Sequence, residues 1–191
     1  ASECADGKFC FFGGCYDCPA GTELLAASLT NAGLTGKNKC TTCDAGKTST
    51  AGSTECTDCS SGMYSIITTN NGVTTYGLDA RETCKKCVAG KKFASKSTAC
   101  AICAAGRYQN QNDQAPALCS DCADGKYLVD DATAAIEHDS PDDCSTCVVG
   151  KQFVDKITLC SICAAGTYQN QNTQAPALCS DCADGKYLVD D

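Results

Sequence analysis

Cysteine spacing constrains this chain more than any other feature. Eighteen of its 20 cysteines form nine Cys-x-x-Cys pairs, at 15/18, 40/43, 56/59, 84/87, 100/103, 119/122, 144/147, 160/163 and 179/182. Cys4 and Cys10 stand outside the pairs. The third residue after each pair is glycine: Gly21, Gly46, Gly62, Gly90, Gly106, Gly125, Gly150, Gly166 and Gly185. Cys4 has the same follower, Gly7, and reads as the tail of a tenth motif. Glycine at one fixed offset predicts a turn that needs φ > 0. An aromatic usually follows two or three residues later (Phe9, Tyr64, Phe93, Tyr108, Tyr127, Phe153, Tyr168 and Tyr187). Each is expected to lie over the neighbouring disulfide as the main apolar packing of its module.

A longer period lies over the short one. From Cys18 onward the pairs are separated by 21, 12, 24, 12, 15, 21, 12 and 15 residues, so a 60-residue unit runs from Cys84 to Asp143 and restarts at Cys144. Residues 84–131 and 144–191 differ at only 11 of 48 positions. The chain therefore divides into irregular modules over 1–83, a first long repeat over 84–143 and a second, truncated one over 144–191. Periodicity of this kind means an array in which each unit touches mainly its neighbours. Asp191 falls inside a loop that runs on for twelve residues in the earlier copy, which deprives Cys182 of the partner that Cys122 would find at Cys144. A natural chain that continues is the expectation. Ala1 in place of an initiator Met reads as a mature end after removal of a signal peptide, or as a fragment of something longer.

Composition decides what holds such an array together. Leu, Ile, Val and Phe make up 28 of 191 residues, and Trp is absent. That is below the roughly 20% at which a chain buries enough apolar area to offset its ordering entropy. Twenty cysteines exceed the roughly 8–10% that marks a disulfide scaffold in a secreted chain. The expected fold is small and disulfide-rich: an elongated tandem array of cysteine-rich modules with short β-ladders and turns and no large hydrophobic core. Glu23–Leu29 and Ala132–Glu137 are expected to form a helical turn or two.

Tandem Cys-x-x-Cys pairs also suit zinc ribbons. Nine pairs divide badly into the twos of a tetrahedral site, and the glycine falls too far after the second cysteine for a zinc knuckle. A redox role would need a helix N-terminus or a nearby cation to lower one thiol pKa, and nine near-equivalent copies look structural. Connectivity does not follow from sequence alone. The simplest hypothesis joins the second cysteine of one motif to the first of the next: Cys4–Cys15, Cys18–Cys40, Cys43–Cys56, Cys59–Cys84, Cys87–Cys100, Cys103–Cys119, Cys122–Cys144, Cys147–Cys160 and Cys163–Cys179. Bridges within a motif, of the Cys15–Cys18 type, are the alternative. Cys10 and Cys182 are left over. Cys10 lies in the most apolar run of the chain, and Phe9, Cys10, Phe11 and Phe12 are read either as a terminal cap or as a contact with a neighbouring subunit.

Chemistry is hard to find. No catalytic motif stands out, and no cofactor is expected. His138, the single histidine, reads as a solvated loop residue among carboxylates. Asp130, Asp131, Glu137, Asp139, Asp142 and Asp143 lack the spacing of a calcium loop, so calcium is not expected there. The net charge of −8, read as spread out, disfavours nucleic acid and anionic membrane. No apolar stretch approaches the ~18 residues of a membrane span. No Asn-x-Ser/Thr sequon occurs, and Thr48-Ser49-Thr50, Thr68-Thr69 and Thr74-Thr75 are candidates for O-linked sugars.

The motif Cys-x-x-Cys-x-x-Gly-x-Tyr, as in Cys103-Ala104-Ala105-Gly106-Arg107-Tyr108 and Cys122-Ala123-Asp124-Gly125-Lys126-Tyr127, resembles ephrin-receptor-like cysteine-rich repeats, relatives of the tumour necrosis factor receptor modules. Among protists it is similar to arrays in ciliate immobilisation antigens and in surface proteins of microalgae. The resemblance covers essentially the whole chain. It implies a rod of stacked disulfide modules outside a cell, and it transfers no ligand-binding residue. Two functions follow as expectations: a self-associating structural protein of a surface coat or filament, or a monomeric surface antigen or recognition ectodomain anchored through a missing C-terminal segment.

Overall fold

The computed structural model describes residues 4, 8–11, 14–24, 40–66, 83–129 and 134–186, except the side chains of Cys10 and Phe11. The chain is a small disulfide-rich fold of tandem modules and packs as two compact units. One comprises Ala1–Cys87 with Phe93–Cys100 and Asp113–Pro116; the other comprises Val88–Lys92, Ala101–Asn112 and Ala117–Asp191.

One local rule builds both. The residue after the second cysteine opens a β-turn closed by the N–H of the residue after glycine, as in Thr22 to Pro19 (3.2 Å), Lys91 to Val88 (3.2 Å) and Thr167 to Ala164 (2.9 Å). Glycine occupies the third place of that turn, and all nine motif glycines have φ between 72° and 87°. This is the type II arrangement. The residues after the turn then pair with the two residues inside the next Cys-x-x-Cys. In this way β1 (Lys8–Phe11) pairs with β2 (Gly14–Asp17), β3 (Thr22–Leu24) with β4 (Cys40–Thr42) and β5 (Lys47–Thr48) with β6 (Thr57–Asp58). Likewise β7 (Lys91–Lys92) pairs with β8 (Ala101–Ile102), β9 (Arg107–Tyr108) with β10 (Ser120–Asp121), β11 (Lys151–Gln152) with β12 (Ser161–Ile162) and β13 (Thr167–Tyr168) with β14 (Ser180–Asp181). Every pair is antiparallel, and the pairs beyond Cys43 are only two residues long. Two long loops reduce the ladder to single bridges, Tyr64 to Lys85 and Tyr127 to Ser145.

Two-residue ladders do not stand alone in water. Here each is closed by a disulfide, so the chain entropy that a hydrophobic core would normally offset is removed in the unfolded state instead. The second cysteine of most motifs is the buried one: Cys18, Cys43, Cys59, Cys87, Cys103, Cys122 and Cys147 are at most 1% exposed. In one hairpin Cys122, Cys144 and Leu128 form a small cluster with Tyr108 packed against it, the aromatic-over-disulfide contact expected from the motif.

The helical expectations meet a mixed outcome. Glu23 and Leu24 lie in β3, paired with Thr41 and Cys40, because the residues after each turn glycine are drawn into the ladder; residues 25–29 lie outside the described residues. Ala135–His138 forms one 3-10 turn, followed by a second at Pro141–Asp143. Ala132 and Thr133 lie outside the described residues.

Candidate functional site

The repeated joint between modules is the most developed feature of the chain, and it is made of main chain. The N–H of five motif glycines donates to the carbonyl three residues beyond the next motif glycine: Gly21 to Ser49 (2.9 Å), Gly46 to Ser65 (3.0 Å), Gly90 to Gln109 (2.7 Å), Gly106 to Leu128 (2.9 Å) and Gly150 to Gln169 (2.8 Å). The glycine carbonyl accepts from the second cysteine of the next motif, as Gly90 does from Cys103 and Gly150 from Cys163, both at 2.9 Å. Both polar groups of one residue are thereby engaged with the following module, as burial of backbone requires.

A second layer covers the first, and here glycine is required for space. A Cβ on Gly90 would stand 1.9 Å from the carbonyl oxygen of Ala135, and one on Gly125 would stand 2.4 Å from Pro176. Gly62 lies against Pro116 in the same manner, at 2.5 Å, and Gly106 lies less tightly against Lys156, at 3.0 Å. In each case the covering segment comes from the interval two motifs ahead. The residue three beyond glycine adds a further bond forward: Ser65 N–H to Lys96 O (3.0 Å), Gln109 to His138 (2.8 Å), Leu128 to Lys156 (2.9 Å) and Phe153 to Ala177 (2.8 Å).

His138 belongs to this layer. The solvated-loop reading is overturned: the residue is 1% exposed. Its Nδ1 lies 2.8 Å from the carbonyl oxygen of Arg107. A carbonyl only accepts, so Nδ1 carries the proton. The two 3-10 turns fold the imidazole inward. Ser140 caps the second turn, its Oγ accepting from Asp142 N–H (3.1 Å) while Asp143 Oδ2 accepts from Ser140 N–H (2.9 Å). Asp143 is thus occupied as a cap. Asp130 and Asp131 lie outside the described residues. Among the described residues no group of three or more His, Cys, Asp or Glu is placed to hold a metal.

The structure joins Cys4 to Cys15, Cys18 to Cys40, Cys43 to Cys56, Cys59 to Cys84, Cys87 to Cys100, Cys103 to Cys119, Cys122 to Cys144, Cys147 to Cys160 and Cys163 to Cys179. Among the described residues Cys182 carries a free thiol. Of the apolar N-terminal run, Phe9 and Cys10 lie in β1 opposite Tyr16 and Cys15, and the Phe9 ring meets Tyr16 with centroids 5.8 Å apart. Phe11 pairs with Gly14 in the ladder, and Phe12 lies outside the described residues. Thr48 and Ser49 are in or beside β5, Ser49 being buried with its hydroxyl donating to Thr22 O (2.7 Å). Thr68-Thr69 and Thr74-Thr75 lie outside the described residues.

Two surface features separate the long repeats, and both went unread in the sequence. In the loop closed by Cys147–Cys160, Val154, Ile157 and Leu159 replace Ala94, Ser97 and Ala99, and all three are more than half exposed. Charge, read as evenly spread, is segregated. Between Glu82 and Asp113 the only charged residues are Lys85, Lys86, Lys91, Lys92, Lys96 and Arg107; from Asp121 to Asp143 there are eight carboxylates and one lysine. The second repeat carries Ser145, Thr146, Gln152 and Thr167 where the first has Lys85, Lys86, Lys92 and Arg107. Simple subtraction of the two copies would have exposed both features. Among the described residues no helix is long and apolar enough to cross a membrane. Comparison with known protein families and with curated proteins finds no match to this chain.

Proposed function

We propose that the chain is a non-enzymatic structural protein of the extracellular space, a building block of a cell-surface coat or filament. The observation that carries this reading is the joint. It repeats with one geometry, it is built of backbone bonds and disulfides, and it uses the chain's glycines and cysteines for mechanical continuity. Nine disulfides are typical of an oxidising compartment. The resemblance to ephrin-receptor-like repeats supports the same compartment. Like units make like lateral contacts, and a heterologous contact that does not close generates an open polymer. Electron microscopy of the purified, oxidised chain tests the reading. Regular fibres or sheets support it, and isolated particles at every concentration sink it.

One observation favours a second reading, a monomeric recognition ectodomain. The aliphatic side chains of Val154, Ile157 and Leu159 stand in the loop where the two repeats differ, on a frame that does not. Isolated particles whose binding to cells is lost on replacing these three with Ala94, Ser97 and Ala99 of the first repeat would favour it.

A further inference from the structure

One platform occurs twice within a single compact unit, covered in the first copy and bare in the second. In the first, the residues around Gly90 carry the 3-10 turn Ala135–His138. Gln109 N–H donates to His138 O (2.8 Å), His138 Nδ1 donates to Arg107 O (2.8 Å), and Ala135 O stands 1.9 Å from where a Cβ on Gly90 would begin. The second copy repeats the platform. Gly150 has φ 78° against 79° for Gly90, and its N–H donates to Gln169 O at 2.8 Å against 2.7 Å for Gly90 and Gln109. Asn172 Oδ1 accepts from Val149 N–H at 3.0 Å, as Asn112 Oδ1 accepts from Ala89 N–H at 2.9 Å. Of Gly90, Arg107 and Gln109, only Arg107 changes, to Thr167, and what the turn uses there is a main-chain carbonyl.

What differs is the cover. Gly90 is buried and Gly150 half-buried, and among the described residues nothing meets Gly150 within 4 Å. The Gln169 N–H, whose counterpart bonds His138 O, has no partner among the described residues. The Gln169 side chain is itself buried, and its Oε1 is unpaired among them. In the covered copy Gln109 Oε1 accepts from Gln111 N–H while Nε2 donates to Lys91 O (3.2 Å). A buried polar atom left without a partner marks a surface that is complete only when something lies on it.

We infer that Gly150, Thr167 and Gln169 form a docking site for a surface turn of a different polypeptide, one that presents a main-chain carbonyl and beside it a histidine N–H, as Ala135–His138 does. Continuity with the covered copy selects that occupant: the contacts it needs are main-chain groups and a glycine, and all are in place. A second copy of this chain is the poorer occupant. Its turn at Ala135–His138 is held on its own Gly90, where tethering gives it a high effective concentration. Lending that turn would bare one platform to cover another. The site does not depend on the assembly reading above.

A synthetic peptide spanning Ala134–Asp143, added to the oxidised chain, is the probe, and hydrogen exchange at the Gln169 amide is the readout. A short peptide must order itself on binding, so the expected Kd is roughly millimolar. Exchange proceeds from the free fraction, so peptide at about four times its Kd is expected to slow Gln169 about fivefold and to leave Gln109 unchanged. Gly150→Ala puts a methyl where the covered copy holds Ala135 O, and is expected to abolish the effect while the chain stays folded. Peptide carrying His138→Ala is expected to bind about tenfold more weakly. A chain extended past Asp191 by residues 132–143, which follow Asp131 in the first copy, presents the same turn tethered. If neither the free nor the tethered turn slows Gln169, or if Gly150→Ala makes no difference, the platform is no docking site and the inference falls. Slowing in the extended chain alone restricts the platform to turns of its own chain. Slowing that grows with chain concentration, without peptide, assigns it to a second copy. Either result overturns the occupant, and none of them bears on whether the chain forms fibres.

Discussion

The carbonyl oxygen of Ala135 stands 1.9 Å from where a side chain on Gly90 would begin, whereas Gly150, sixty positions on, meets nothing within 4 Å among the described residues. Both glycines have positive φ, 79° and 78°. Alanine at position 150 is expected to carry only the cost of the left-handed backbone, about 1 kcal/mol. Alanine at position 90 must also displace the 3-10 turn above it, for a total of about 3 kcal/mol. Hydrogen exchange at the Gln109 amide, which donates to His138 O, reads the difference: faster in Gly90→Ala, unchanged in Gly150→Ala.

His138 fills a buried position and donates to Arg107 O. Replacing it by alanine leaves a cavity and an unpaired carbonyl, a loss of about 3 kcal/mol. Thermal unfolding of the first long repeat, followed by exchange at Gln109, is the measurement. A variant as stable as the parent returns His138 to the status of a spectator.

Opening one bridge should act locally. Cys122→Ser with Cys144→Ser releases a loop spanning a sequence separation of 22. The chain-entropy model puts the loss at about 3 kcal/mol. In an array of modules that loss stays with the module and its neighbours. Proteolysis is expected to cut between Cys122 and Cys144 while the hairpin closed by Cys43–Cys56 resists; cutting at both with equal ease contradicts the modular account.

Asp155 makes one loop sensitive to acid. Its Oδ1 accepts from Ile157 N–H (2.9 Å), Thr158 Oγ1 (2.9 Å) and Thr158 N–H (2.8 Å). The Ile157 amide and then the Thr158 hydroxyl hold the carboxyl below the usual carboxylate range; a small desolvation opposes them, and the Thr158 amide adds to the lowering. The folded group releases its proton more readily than the unfolded chain does. Its stabilisation is therefore present above the ordinary carboxylate pKa and is lost as pH falls through the folded value. The Ile157 and Thr158 amides should exchange faster on acidification through that range, and Asp155→Asn should remove the pH dependence.

Thiol chemistry separates bridges from metal. Reductant with denaturant is expected to unfold the chain for good until it is reoxidised, and a chelator alone to change neither the circular dichroism nor the mobility on a non-reducing gel. Stoichiometric zinc released by the chelator, with loss of structure, would contradict the disulfide frame.

Local rules were legible in the sequence because they are local. A glycine three residues past each second cysteine gives the turn, and the residues next to it and inside the next motif give the strand pair. What escaped was the relation between residues far apart in the chain. His138 looked solvated because its neighbours are carboxylates, yet Arg107 and Gln109, some thirty positions earlier, close over it. Glu23 and Leu24 have helical character in isolation, and β4 overrides it. The Ser140–Asp143 capping box was readable from its spacing and would have hinted that this acidic segment is folded rather than loose.

The bond between Gly90 and Gln109 uses no side chain at either end. A connection written in peptide groups asks almost nothing of the alphabet. Outside the cysteines, the glycines and a few small residues under the covering segments, such a lineage can rewrite its letters without touching its skeleton. Kinship between chains of this design is then to be sought in the placement of sulfur and glycine along the backbone, where residue-by-residue comparison carries little signal.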